Sequence, residues 1–450
     1  MLRSFAAVFV ALVCWSLSAH AAPPNIVFFL IDDLGWADVG YHGSPFPTPN
    51  IDRLAAQGVE LNQHYVAPVC SPTRSALLTG RYWSRFGVNS PQNNQALPFS
   101  TVTMASALAK LGYQTAISGK WHLGSKPEWG PKHFGFDWAY GSLAGGTGPY
   151  DHRYKKGPFS ITWHRNHQLI EEEGHVTDLI SKEATGLIKT FDPDRPFFLY
   201  VPFTAVHHPI DEPEFWLSRV PKSVPEERRA YSACVMHMDA AVGSIMAALE
   251  HKELLENTIV VFSSDNGGDG GIADSDTALY PGENAKGTVL GANHPLRGHK
   301  GQVYEGGIRV PAIASWKGTW KPRKVETPLH VVDWVPTLTA LAGYRPEKDL
   351  KWDGRDIRSV LEGAGSTGDR ELYFKGPGGR QFALRDGDWK ILLHAASKDA
   401  PEKMELFHLG RDPNEKTDLA GAAQHKSRLA ALRTKLDAQR ARDDDAVVKQ

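Results

Sequence analysis

The chain has 450 residues, 41% apolar and 22% charged, and its 50 Lys and Arg nearly cancel its 51 Asp and Glu, leaving a net charge of −1. That length supports a large core and two or three domains, while the charge balance excludes a global field that would draw the chain to nucleic acid or an acidic membrane. Three cysteines also exclude a disulfide framework.

At the start, Arg3, the apolar run Phe5–Leu17 and the small-residue pattern Ala19-His20-Ala21 predict a secretory signal over residues 1–21, with a mature chain beginning at Ala22. The run is shorter than the roughly 20 residues needed to span a bilayer, and no later stretch is longer and uncharged. The expectation is a soluble periplasmic or secreted protein with no membrane insertion. Cleavage removes Cys14 and leaves Cys70 and Cys234.

From Asn25 to about Pro311, apolar β-rich runs alternate with helical patterns. NIVFFL, QTAIS, PFFLYVPF, TIVVFSS and VPAIASW read as buried strands; NIDRLAAQG, TVTMASALAKLG, HVTDLISKEATGLIKTF and Tyr231–Glu250 read as helices. Cys234 falls in the last of these, where a packed thiol suits it better than a bridge. Continuous rather than alternating hydrophobicity in strands separated by helices predicts a mostly parallel α/β sheet with helices on both faces. HVVDWVPTLTALAG reads as a last large helix; then ELYFKG, RQFALRDGDWKILLHA and MELFHL read as short antiparallel strands, followed by a helix around Ala422–Arg440 and a loose tail, DDDAVVKQ. The expected division is a catalytic α/β unit over 22–345 and a smaller α+β unit over 346–450.

Four predicted strands run into polar clusters: Asp32-Asp33, Gly119-Lys120-Trp121-His122, His207-His208-Pro209 and Asp265-Asn266-Gly267-Gly268. In a parallel sheet the carboxyl ends share one edge, where such folds bind ligands. Asp32, Asp33, Asp265 and Asn266 offer oxygen ligands only, which suits a hard dication, Ca²⁺ first and Mg²⁺ second. Either pair alone reads as a turn or helix cap; two pairs closing two apolar strands point to a cation. In PVCSPTRSALLTGR, Ser71 followed by Pro72 resembles an N-cap and first helical position, with a short helix over Pro72–Leu78 stopped at Gly80. Cys70 then precedes a helix N-terminus that favours anions, and Arg74 adds a permanent bidentate cation. A helix cap with a surface Arg and a packed Cys is the plainer reading of that segment alone.

Cys70-Ser71-Pro72-Thr73-Arg74 followed by Leu78-Thr79-Gly80-Arg81 resembles the signature of type I sulfatases. IDDLGWADVG, GKWHLG, GFDWAYG, SSDNGG, PLRGHKGQVYEGGIRVP, VVDWVPTL and WDGRDI extend the resemblance over most of the chain. It implies an alkaline-phosphatase-like fold and conversion of Cys70 to Cα-formylglycine by a maturation enzyme. Its hydrated aldehyde attacks the sulfate ester and, through its second hydroxyl, expels sulfate again. Asp32, Asp33, Asp265, Asn266 and the modified Cys70 are then the Ca²⁺ ligands. Arg74 and Lys120 hold the hydrate and sulfate oxygens, and His122 assists release. His207, in Val206-His207-His208-Pro209, and Lys300 contact the sulfate and protonate the leaving oxygen. His208 and His299 are left out of the site.

Alternatives within reach of the same residues are a phosphonate monoester or phosphodiester hydrolase and a non-catalytic binder of sulfated glycans. PLRGHKGQVYEGG, VHHP and VVDWVPTL most resemble sulfatases acting on N-acetylgalactosamine 4-sulfate and similar glycan sulfates, so the expected substrate is a sulfated carbohydrate. Gly145–Asn166, rich in His, Arg, Lys and aromatic residues, reads equally as a loop packed on the core or as a subsite wall, the latter with Tyr150, His152 and Arg153 within reach of the pocket.

Overall fold

A computed structural model describes residues 23–271, 279–281, 290–398, 400–443 and 445. The expected signal and most of the tail lie outside the described residues. The apolar runs form strands β1 (Asn25–Ile31), β2 (Val59–Leu61), β3 (His64–Tyr65), β4 (Gln114–Ser118), β5 (Trp138–Ser142), β6 (Trp163–Arg165), β7 (Gln168–Leu169), β8 (Phe197–Pro202) and β9 (Thr258–Ser264). β10 (Ala312–Trp316), β11 (Arg323–Val325) and β12 (Leu329–His330) follow. All but β3 and β12, which pair with each other, join one ten-stranded sheet in the order β11-β2-β10-β9-β1-β8-β4-β5-β6-β7. Its centre, β9-β1-β8-β4-β5, is parallel; β10, from VPAIASW, runs antiparallel to both neighbours, as does β6.

Every residue of β1, β8 and β9 is buried, which is why their sequences are apolar throughout rather than alternating. The pleat sends Ile26, Phe28 and Leu30 to one face and Val27, Phe29 and Ile31 to the other. The second face is covered by helices Val176–Thr190 and Arg229–His251 through Ile180, Ala184, Val235 and Ile245. Arg229–His251 has the length and apolarity of a membrane span but lies mostly buried in this core. Cys234, on it, is buried and unbridged, as is Cys70.

On the first face sit helices Cys70–Thr79 and Trp334–Leu341. The latter is eight residues long, entered through a 3₁₀ turn at Val331–Asp333. The expected large helix is cut short there because the His330 ring and the Asp333 carboxylate take up backbone N–H groups of the turn. Beyond it, β13 (Glu371–Lys375), β14 (Gln381–Asp386), β15 (Trp389–His394) and β16 (Lys403–His408) form the expected antiparallel sheet, followed by helix Lys426–Arg440. Tyr373, Leu384, Leu392 and Leu432 belong to the same apolar cluster as Leu30 and Trp334.

A buried ionic cluster ties the antiparallel sheet to the helical turn Glu305–Ile308 ahead of β10. Lys390 on β15 reaches Glu305 at 2.9 Å and Glu415 at 2.8 Å, all three side chains fully buried. Glu415 also accepts the Glu305 backbone N–H, and Glu305 accepts from the Tyr65 hydroxyl. Lys390→Met would strand two carboxylates in the core, and losing one partner of a buried pair costs about 3–5 kcal/mol. An unfolding free energy from chemical denaturation lowered by that amount is expected; a loss below about 1 kcal/mol would show that the network relaxes.

Candidate active site

Parallel pairing continues past the strand ends and sets the catalytic edge. Asp32 donates its N–H to the Ala205 carbonyl at 3.0 Å and accepts from Val206 at 2.7 Å; Asp265 N–H bonds Ile31 at 2.8 Å and Lys120 N–H bonds Pro202 at 2.7 Å. Segments more than two hundred positions apart are thereby locked side by side. Gly119 is required at this crossing: its φ is +139°, and a Cβ there would lie 1.9 Å from the Pro202 carbonyl oxygen. Asp33 (φ 63°) and His122 (φ 56°) are held in the left-handed region without being glycine, strain of the kind that concentrates at working sites.

Asp32, Asp33, Asp265, Asn266, Arg74 and Lys120 have no exposed surface, and Cys70 is 2% exposed. One ligand atom each from Asp32, Cys70 and Asp265 falls within a 4.8 Å sphere of mutual distances, and so does a set from Asp32, Asp33 and His207. Cations interleave with the acids. Arg74 donates to Asp265 at 2.8 Å and to the Lys120 carbonyl at 2.8 Å, and lies 3.6 Å from Asp32. Lys120 bonds Asp32, and Lys300 bonds Asp33 at 2.6 Å. Asn266 donates to Asp33 at 2.7 Å. Asp32 Oδ1 and Asn266 Oδ1 are buried with no hydrogen-bond partner.

Electrostatics follow from burial. Burial and the neighbouring Asp32 charge push the Asp265 carboxyl up to about 7. Asp33 goes the other way: burial opposes its charge, but Lys300 and His207 hold it well below the ordinary carboxylate range. Burial pushes the Cys70 thiol up to about 11. Burial, then Lys300, holds His207 well below its ordinary value; burial, then Lys120 and Arg74, does the same to His122. His207 Nδ1 donates to the His208 carbonyl at 2.5 Å, so in the neutral ring Nε2 is bare and stands 3.9 Å from Asp33.

All ten residues singled out from the sequence thus belong to one buried constellation at the sheet edge. The helix holding Cys70 differs in detail from the expectation. It runs Cys70–Thr79 with Val69 at the N-cap, so Cys70 is its first residue and Ser71 does not cap it. The Ser71 hydroxyl instead donates to the His122 carbonyl and accepts the Gln92 N–H, both at 2.9 Å, because two loops cross there with unpaired groups to satisfy. Gly80 ends the helix in the left-handed conformation, as expected.

The expectation for Gly145–Asn166 is corrected. Tyr150 packs on His175, His152 stacks on Trp163, and Arg153 pairs with Glu171. These three line a separate cleft of about 450 Å³ with Glu171, Glu172 and Glu173. The glycines of the segment are what approach the site: a Cβ on Gly145 would meet His122 Nε2 at 2.3 Å, and one on Gly146 the Tyr280 hydroxyl at 2.1 Å. Tyr280, buried with its hydroxyl unpartnered, sits edge-on to His208 and Tyr154 with the Lys155 ammonium 5.9 Å from its ring. Sequence reasoning missed it because it stands in a polar stretch with no strand or helix signal. His208 orients His207 through its carbonyl and a 4.1 Å ring stack.

Comparison with known proteins finds relatives over most of the chain. The sulfatase family model matches residues 24–344. Arylsulfatase J of Mus musculus is 31% identical, covering 90% of this chain and 74% of that protein. N-acetylgalactosamine-6-sulfatase of Canis lupus familiaris is 33% identical, covering 89% and 82%. A crystal structure of Ps i-CgsB in complex with k-i-k-neocarrahexaose superposes with a TM-score of 0.82 at 29% identity over 94% of each chain.

The Gly145 contact gives a test. In Gly145→Ala the His122 ring must move, and where a displaced side chain takes part in the reaction a misplacement of about 1 Å costs on the order of 100-fold in rate. The variant is expected to keep its circular dichroism spectrum and lose turnover on that scale; full turnover would show that the ring has slack.

Proposed function

The chain belongs to the sulfatase family, and from that premise we propose that it hydrolyses a sulfate ester of a carbohydrate, with residue 70 oxidised to formylglycine as nucleophile and with a calcium ion. The observation that carries the reading is the meeting of four strand ends around Cys70, with two acid and amide oxygens buried there and left without partners.

Those orphaned oxygens, Asp32 Oδ1 and Asn266 Oδ1, stand beside Asp33, Asp265 and residue 70, an oxygen-rich set that fits a hard dication. When bound, Ca²⁺ would supply Lewis acidity toward the ester and the nucleophile. As a thiol, Cys70 is a poor nucleophile at neutral pH, since burial keeps it protonated. Oxidation by a maturation enzyme would supply a geminal diol, one hydroxyl to take the sulfuryl group and a second whose deprotonation releases sulfate.

The remaining roles belong to side chains of the chain itself. Arg74, Lys120 and the N–H groups opening helix Cys70–Thr79 stabilise negative charge on sulfate oxygens. Lys300, cationic beside Asp33, carries a proton in the resting site, while the bare Nε2 of His207 accepts one only with an incoming anion. Lys300 is therefore the group poised to protonate the leaving oxygen. His122, neutral and with Nδ1 unpartnered, is suited to take the proton whose loss releases sulfate.

The carbohydrate assignment is supported by relatives named as N-acetylgalactosamine-6-sulfatases and by a structural neighbour solved with a neocarrahexaose. A phosphonate monoester hydrolase of Agrobacterium radiobacter shares the fold at 18% identity and a TM-score of 0.64, which speaks for architecture alone. Export to the periplasm or beyond is part of the proposal, on the signal pattern at residues 1–21.

Sulfate release from sulfated galactosamine and galactan oligosaccharides tests the activity. Mass spectrometry of the tryptic peptide 54–74 is expected to show the aldehyde in active protein; an intact thiol there would overturn the nucleophile. Cys70→Ala should be inert, and Cys70→Ser should stop after the first transfer, because one hydroxyl can accept the sulfuryl group but cannot expel it. Calcium at a hundred times its dissociation constant is expected to stabilise the fold by about 2.7 kcal/mol. A chelator should reverse the rise in melting temperature, and Asp265→Asn should blunt it.

A further inference from the structure

A second group of potential metal ligands lies beneath the loop that carries His207. His175 caps the N-terminus of helix Val176–Thr190, His237 stands on helix Arg229–His251, and Glu212 ends the stretch that follows β8. All three are buried, and one ligand atom from each lies within 4.8 Å of the other two. His237 Nδ1 is 2.7 Å from Glu212 and its Nε2 is 3.0 Å from Asp178. His175 Nε2 is 3.7 Å from the other Glu212 oxygen and has no hydrogen-bond partner. The side chain of His175 is 3% exposed and that of Glu212 1%. The Asp211 backbone also lies against the His175 ring, and the unpaired nitrogen faces the Glu212 carboxylate across a gap that a bridging ion would fill.

We propose that His175, Glu212 and His237 form a second metal site for a borderline dication such as Zn²⁺, separate in place and chemistry from the sulfatase centre. Two imidazole nitrogens and one carboxylate are a zinc donor set, whereas the catalytic edge is dominated by oxygen and suits a harder ion. Asp178 supplies the supporting bond: a metal-bound imidazole commonly gives its other N–H to a carboxylate, which fixes the ring and raises its basicity. The ion takes the place of the proton that His237 Nδ1 shares with Glu212. At His175 the proton moves from Nε2 to Nδ1, giving up the 3.3 Å bond from Thr177 N–H, the longest in the cluster. Asp178, with 68% of its side chain exposed, marks the solvent side by which an ion enters. Trp216, stacked on His237 at 5.0 Å, closes an apolar wall. Glu212 lies five residues after His207, so an ion here staples the loop of that histidine to both helices.

The test uses the full-length calcium-replete protein, equilibrated with Zn²⁺ in excess Ca²⁺, gel-filtered, and assayed for bound metal by mass spectrometry, with Co²⁺ as a spectroscopic substitute. One Zn²⁺ per chain and a tetrahedral Co²⁺ visible band are expected. His175→Gln and Glu212→Gln should lose both. Asp178→Asn, a change at an exposed side chain that leaves the fold intact, should weaken Zn²⁺ binding about 10–100-fold. Failure of the native protein to retain Zn²⁺, or unchanged Zn²⁺ affinity in His175→Gln and Asp178→Asn, would overturn the site, and neither result bears on sulfate release.

Discussion

The architecture is organised around one unfavourable act, the burial of three carboxylates at a single point. Asp32 and Asp265 present oxygens within 4.8 Å of each other, a separation at which two unit charges repel by about 3–4 kcal/mol at an effective dielectric near 20. Each has also lost its water. The chain answers with Arg74, Lys120 and Lys300, contributed by three different segments and all hydrogen-bonded to acids. Buried ion pairs are weak sources of stability, because desolvation consumes most of what attraction returns. Their value here is positional: each cation is held by charge where an anionic group must later be met. The strained Asp33 and His122 are tolerated because neighbours on every side fix them.

That burden explains why the surrounding frame is so rigidly tied. Lys300 comes from a loop with no regular structure of its own, and it is fixed from both directions. Its backbone N–H bonds the Gly268 carbonyl at 3.1 Å, and the next residue, Gly301, bonds Pro68 at 2.7 Å, just ahead of Cys70. Farther along, Glu305 is clasped by Tyr65, Lys390 and the Glu415 carboxylate. The antiparallel sheet thus braces the segment that follows the Lys300 loop.

Much of this was legible in the sequence, for identifiable reasons. NIVFFLI and TIVVFSS announce central parallel strands because both faces of each are buried, and the acids that follow them are neighbours as a consequence of strand order alone. Cys70 and Arg74 are one helical turn apart, so local geometry decides their proximity. The start of that helix was misplaced by a residue or two because Ser71 is a good N-cap in isolation, whereas here its hydroxyl is claimed by a crossing loop. Tyr150, His152 and Arg153 were assigned to the site from residue type, but what governs Gly145–Asn166 is backbone clearance. Gly145 and Gly146 let the chain pass against His122 and Tyr280, after which Tyr150, His152 and Arg153 pack on His175, Trp163 and Glu171. Tertiary pairing of this kind leaves no periodicity to read.

The loop after β8 shows how the fold turns burial into control of protonation. His207 is pressed between His208, whose carbonyl fixes the Nδ1 proton, and the charge field of Lys300 and Asp33. A histidine in water would exchange protons freely around neutrality; this one is kept neutral, in one tautomer, with its free nitrogen facing the acids. Lys300 keeps its proton because Asp33, Asp269 and Asp32 act together on it and outweigh burial, the largest single influence against the charged form. Two groups with ordinary values on either side of neutrality are driven further apart by a shared environment, leaving one charged and one neutral side chain beside Asp33. Asp33, just past the end of β1, favours the charged form of Lys300, while burial and the Lys300 charge keep His207 neutral against the opposing pull of the same carboxylate.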